Sequence, residues 1–202
     1  MLVTLSHLVD TPILSMEASA KVAYIRSAIV DPDSLKIVAF RLYGPLVNGS
    51  ADILVASSIR EYSRYGCVID TIDELVEEDD VIKIKKILEL NFDLLGLKVE
   101  TKKKTNLGKI SDYAVTTDNF SVQQIIVKRP LLKGLFDPEL IISRREIVEV
   151  TDYKVIVKDE EKVLKEKAVQ ENFIPNFVNP FRKNEQDLAP ADTKTPADTN
   201  TE

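Results

Sequence analysis

The chain has 202 residues, 44% of them hydrophobic, and a formal net charge of −6 at pH 7. This suits one large domain or two small ones with ordinary cores, and it does not suit a protein whose default partner is nucleic acid. A single cysteine, Cys67, excludes an internal disulfide and fits a reducing compartment.

Taken in order, residues 1–15 carry Leu2, Leu5, Leu8, Ile13 and Leu14 around a turn at Asp10, Thr11 and Pro12, which reads as a first strand and its lead-in. There is no basic start and Asp10 and Pro12 interrupt the apolar positions, so no signal peptide is expected. No apolar run approaches the roughly 18 residues that a bilayer span needs, and the expected location is the cytoplasm. Residues 22–30 form the next extended run. Asp31-Pro32-Asp33-Ser34 ends it with a strong turn signal, and residues 35–43, LKIVAFRLY, complete a predicted hairpin. Gly44-Pro45 and Asn48-Gly49-Ser50 mark a loop. Residues 53–56, 59–63 and 66–69 are short strand candidates only a few positions apart, the pattern of a small barrel and not of a βαβ unit.

Residues 77–92, EEDDVIKIKKILELNF, read as a helical connector. Glu77, Glu78, Asp79 and Asp80 precede Lys83, Lys85 and Lys86, the charge order that a helix dipole favours. Val81, Ile84, Ile87 and Leu88 make one apolar stripe.

Beyond the connector the first pattern recurs. Residues 122–129, VQQIIVKR, answer residues 35–42 at an offset of 87 (35 to 122), and Asp118-Asn119-Phe120-Ser121 answers the Asp31 turn. Residues 149–157 answer residues 61–69 at an offset of 88 (61 to 149), which sets Val155 against Cys67 and predicts a packed apolar role for the thiol. A period above 80 residues is too long for a solenoid and predicts two whole domains.

These residues resemble the PRC-barrel family, a small β-barrel domain. The resemblance rests on Leu107-Gly108-Lys109-Ile110 stepping into a hairpin, Asp118 to Ser121 followed by the apolar strand at 122–127, and a late strand from Tyr153 to Val157. It covers about residues 2–160. The first copy departs from it, with Ala20 where the glycine belongs. The family carries no catalytic signature. The resemblance implies a mainly β fold of two tandem small PRC-type barrels, at residues 1–77 and 93–160, joined by a short helix at 78–92. It also implies service in ribosome maturation, at the photosynthetic reaction centre, or in sporulation and division.

Candidates for chemistry are few. His7 is the one histidine and has no partner for a metal site. No Gly-rich phosphate loop appears among the six glycines. No cofactor and no metal are expected, and the expected class is a non-catalytic protein-interaction module, an adaptor. Lys102-Lys103-Lys104, flanked by Lys98 and Lys109, is a basic patch. It suits phosphates or an acidic protein face, and equally a solvated hairpin tip. It carries the alternative function, RNA or ribosome binding in small-subunit maturation.

At the C-terminus, residues 161–172 read as a charged helix, 173–182 as a Phe/Pro-rich segment and 183–202 as a disordered tail. In the middle segment Phe173, Ile174, Pro175, Phe177, Val178, Pro180, Phe181 and Arg182 are candidate partner-binding residues, with the three phenylalanines as anchors. The same segment could instead fold back over a groove of its own barrels.

Overall fold

The computed structural model describes residues 1–47, 51–129 and 139–159. These residues are mainly β, in two seven-stranded sheets. It opens with β1 (Leu2–Thr4), a single helical turn α1 (Leu5–Leu8) and β2 (Pro12–Ser15). The lead-in is therefore not one strand, because Leu5 and Leu8 both turn inward and are buried. Then follow β3 (Ala20–Asp31), β4 (Lys36–Tyr43), β5 (Ile53–Val55), β6 (Glu61–Ser63), β7 (Gly66–Ile69) and β8 (Leu75–Val76). After α2 (Ile82–Glu89) come β9 (Lys98–Thr101), β10 (Asn106–Thr116), β11 (Val122–Lys128), β12 (Glu139–Ser143), β13 (Ile147–Val150) and β14 (Lys154–Val157).

One sheet runs β6-β7-β2-β3-β4-β5-β8; the other runs β13-β14-β9-β10-β11-β12, with β1 added against β10. Six strands thus repeat in the same order. In each sheet one pair is parallel, β2 with β7 and β9 with β14. Ile13 faces Cys67 there as Val99 faces Val155, all four fully buried. The hairpins match down to their irregularities. β3–β4 slips between Ile25 and Ser27 and between Ile29 and Val30; β10–β11 slips between Ile110 and Asp112 and between Ala114 and Val115.

These pairings correct the hairpin offset to 85 (25 to 110, 42 to 127). Matching the Asp-rich turns by residue type displaces the alignment by two positions. The structural anchor is the left-handed residue closing each turn, Leu35 (φ 49°) and Phe120 (φ 52°). Each donates its N–H to the strand end before the turn, Leu35 to Asp31 and Phe120 to Thr116. Ala23, not Ala20, then stands opposite Gly108. The strand crossing at this point is tight. A Cβ on Gly108 would lie 2.1 Å from the Lys128 carbonyl oxygen, and in the first sheet Gly44 supplies the space against Ala23 from the other strand.

Most buried side chains of both sheets form one continuous cluster, from Val3 through Phe40 to Val157, and a smaller one lies outside the first sheet. The halves meet in a self-complementary contact. Lys36 bridges Ser121, the Ile37 N–H donates to the Phe120 carbonyl and the Val122 N–H to the Leu35 carbonyl, both at 2.9 Å. Under the 85-position equivalence these two bonds are images of each other, the signature of a pseudo-two-fold contact. Phe40 and Phe120 pack edge to face across it at 5.3 Å. Arg144 ties it further. Its Nη1 donates to the carbonyls of Leu35 (3.1 Å) and Val122 (3.2 Å), and its Nη2 to that of Ser34 (2.7 Å).

The helix between the sheets in sequence is shorter than expected. The four acidic residues lie outside it. Glu78–Asp80 forms a 3-10 turn, the Glu77 N–H donates to the Asp80 carboxylate at 3.1 Å, and Val81 is extended before α2 begins. Ile84 and Ile87 bury themselves against Ile29, Ala39 and Ile53 on the outer face of the first sheet. No helix among the described residues is long and apolar enough to cross a membrane.

Candidate functional site

Cross-strand register in the second sheet assembles a row that chain order hides. Lys109 of β10 faces Lys128 of β11 on one side and Lys98 of β9 on the other, and Lys98 faces Lys154 of β14. Because side chains alternate along a strand, the buried neighbours Val99, Ile110, Val127 and Val155 leave these four lysines on the outward face. Neighbouring strands are ~4.8 Å apart, so the four lysine side chains leave the sheet from one narrow stripe. Glu139 faces Lys128 at one end, and Glu100 lies 3.3 Å from the Lys154 Nζ near the other.

Like charges set directly opposite each other destabilise a sheet. Between Lys98, Lys109 and Lys128 the row therefore opposes pairing, while at its ends Glu139 and Glu100 offset part of the charge. Lys102, Lys103 and Lys104 are exposed in the turn that joins β9 to β10. Lys104 is left-handed there (φ 63°) and donates its N–H to the Thr101 carbonyl. The Thr101 hydroxyl, itself buried, accepts from the Thr105 N–H and fixes the turn. Of the five basic residues expected from the sequence, the structure makes Lys98 and Lys109 direct neighbours and places the triplet at the sheet rim. Lys128 and Lys154 were missed. The only signal for them is register, which is not written in any local motif.

The matching row of the first sheet is of another kind. Tyr24 faces Tyr43 and Pro12 faces Tyr24. The two rings stack at 5.6 Å and the Arg26 guanidinium lies 5.6 Å from the Tyr43 centroid. The Tyr43 hydroxyl donates to Asp10 at 2.7 Å, and that bond raises its pKa.

The remaining candidates carry no visible chemistry. His7 sits on α1 with its Nδ1 2.6 Å from the Thr4 hydroxyl. Cys67 is fully buried in β7, and burial pushes its thiol up to about 12, away from the thiolate a nucleophile needs. Among the described residues no three His, Cys, Asp or Glu side chains converge as a metal site would require. Phe173, Ile174, Pro175, Phe177, Val178, Pro180, Phe181 and Arg182 lie outside the described residues, as do the segments expected at 161–172, 173–182 and 183–202. Compared with known protein families and with curated proteins, the chain matches no family model and no curated relative.

Proposed function

We propose that the chain is a non-catalytic protein-interaction module, an adaptor, built from two PRC-type β-barrels fused through one core, that docks the acidic face of a partner protein on the outward surface of its second barrel. The carrying observation is the in-register row Lys128, Lys109, Lys98 and Lys154. Lys109, held opposite Lys98 on one side and Lys128 on the other at a cost to the sheet, is explained by a partner that neutralises the row. The repeated strand order and paired bulges support the two-barrel reading. The Phe/Pro segment, through Phe173, Phe177 and Phe181, supplies a second contact in this reading.

RNA or ribosome binding in small-subunit maturation is the second reading, favoured by the lysine triplet at the rim of the same sheet. It is the weaker one because the stacked aromatic residues that single-stranded RNA uses stand on the other sheet, as Tyr24 and Tyr43.

The test uses the full chain with two probes, a polyglutamate peptide and a single-stranded RNA of equal charge. Binding of the peptide, lost about tenfold or more in the double variant Lys98→Glu, Lys109→Glu and weakened by salt, supports docking on the row. Tighter binding of RNA than of peptide moves the assignment to the second reading. Equal binding by the double variant removes the row from both. Truncation after Glu171 then asks separately whether the Phe/Pro segment contributes.

A further inference from the structure

The pseudo-two-fold contact creates two clefts, and they are twins. Pocket walls from Pro32, Asp33, Leu35, Arg144, Ile147 and Glu149 enclose the smaller, of about 310 Å³. Their counterparts, Thr117, Asp118, Phe120, Ala56, Ile59 and Glu61, enclose the larger, of about 660 Å³. The turn residues correspond through the 85-position shift (35 to 120). The late residues correspond through the 88-position shift that also sets β6 and β7 against β13 and β14 (61 to 149, 67 to 155).

Of the differences between the twins, the exchange of Arg144 for Ala56 changes the polar contacts most. Arg144 opens the 3-10 turn Arg144–Glu146 and reaches across the smaller cleft to three carbonyl oxygens, on Ser34, Leu35 and Val122. Ala56 opens the corresponding turn Ala56–Ser58 and reaches nothing comparable. The counterparts of the three acceptor residues are Asn119, Phe120 and Ile37, and all three line the larger cleft. That cleft therefore repeats an arginine receptor without its arginine.

We propose that the larger cleft receives an arginine side chain presented by a partner protein, held as Arg144 is held in the twin. The surroundings suit that ligand. Ile37, Val38, Val55 and Ile84 offer apolar wall to the methylene stem, and Glu61 and Asp118 supply negative charge, as Glu149 and Asp33 do beside Arg144. Three basic residues also line the space. Arg60 is paired with Asp70 at 2.8 Å, and Lys36 and Lys83 equal Glu61 and Asp118 in number, so the lining brings no net negative charge. The carbonyl geometry thus selects the ligand, and net charge does not. A planar guanidinium donates in several directions at once, whereas an ammonium is a compact point charge. This site is distinct from the lysine row and does not depend on it.

Amide spectra of the 15N-labelled full chain test the proposal with three probes: Nα-acetyl-arginine amide, Nα-acetyl-lysine amide and inorganic phosphate. The Ile37 N–H reports directly, since it donates to the Phe120 carbonyl. The expected result is saturable shifts at Ile37, Asn119 and Phe120 with the arginine probe, at an affinity on the order of millimolar for an isolated side chain. The lysine probe should bind at least fivefold more weakly. Ala56→Arg, which fills the cleft from within, should abolish the shifts, and Glu61→Gln should weaken binding severalfold should the first variant not fold. No saturable shift at these three amides, an equal response to lysine, or a response to phosphate instead would overturn it.

Discussion

The two halves of this molecule share a backbone plan and differ in what they show to the outside. Strand order, the parallel pair and both hairpin bulges coincide. The outward row through the middle of each sheet does not: Tyr43, Tyr24 and Pro12 in one, Lys128, Lys109 and Lys98 in the other. Inward positions keep their apolar character while changing shape, as at Cys67 and Val155 or Phe40 and Ile125, all fully buried. The plan is thus held by the alternation of buried residues and by left-handed turn closures, and the exterior is free to specialise.

The largest expected effect is at the contact between the halves. Phe120 meets Phe40 edge to face, while the positions matching them carry Leu35 and Ile125. Phe120→Ala should cost ~3–5 kcal/mol by chemical denaturation, because it opens a cavity in the shared core. Phe120→Leu copies the residue of the other half, which already closes its turn at the same positive φ, and should cost less than ~1.5 kcal/mol. An alanine cost below about 1 kcal/mol would mean that the halves are not braced there.

Arg144 comes next. Removing it as Arg144→Ala leaves three partly buried carbonyls without their charged donor, a loss of ~2–3 kcal/mol. Arg144→Lys should recover little of this, since one ammonium does not reproduce the fork. Full recovery by lysine would show that charge alone matters, and would weaken the contrast drawn between Arg144 and Ala56.

How much of this could be read from the chain depends on the kind of signal. Residues 61–69 and 149–157 align without a gap, and the pairings of Tyr62 with Cys67 and of Val150 with Val155 repeat as that alignment requires. The hairpin alignment slipped by two because Asp31 and Asp118 look alike in sequence. The residues that fix the turns are Leu35 and Phe120, two types that seldom adopt positive φ and so announce nothing. Lys98 and Lys109 were legible as part of a basic cluster. Their alignment with Lys128 and Lys154 needs strand register, which depends on bulges between Asn106 and Gly108 and between Ile110 and Asp112. Arg144 looks like any charged residue at a turn until its three acceptors are in view.

A smaller effect separates the halves at alkaline pH. Burial holds the Cys67 thiol protonated up to about 12, whereas a thiol in the unfolded chain titrates near ~8.5. Above that lower value the unfolded chain releases a proton that the folded chain keeps. Stability therefore falls as pH rises, by up to ~1.4 kcal/mol per unit from this group. Tyr113, raised by its own burial, adds to the loss at higher pH. Cys67→Val copies Val155 of the other half and should leave stability at pH 7 within ~1.5 kcal/mol while removing this part of the slope. Urea denaturation of both proteins at pH 7, 8.5 and 9.5 measures the difference. Parallel curves would place the thiol outside the protected core.

The smallest expected change in stability bears most on function. Lys109 stands between Lys98 and Lys128, so Lys109→Thr relieves two like-charge neighbours and places a good strand former in their midst. It should raise stability by ~0.2–1 kcal/mol in dilute buffer and by less at high salt, where the repulsion is already screened. Lys154→Gln should gain less, because Lys154 is ion-paired with Glu100. The corresponding change in the first sheet, Tyr24→Thr, should lose stability through the broken Tyr24–Tyr43 stack and show little dependence on salt. Opposite signs at matched positions are what a row retained for binding requires. If Lys109→Thr instead destabilises the fold, and does so equally at all salt concentrations, the lysines belong to the architecture and the outward faces of the two halves do the same work by different means.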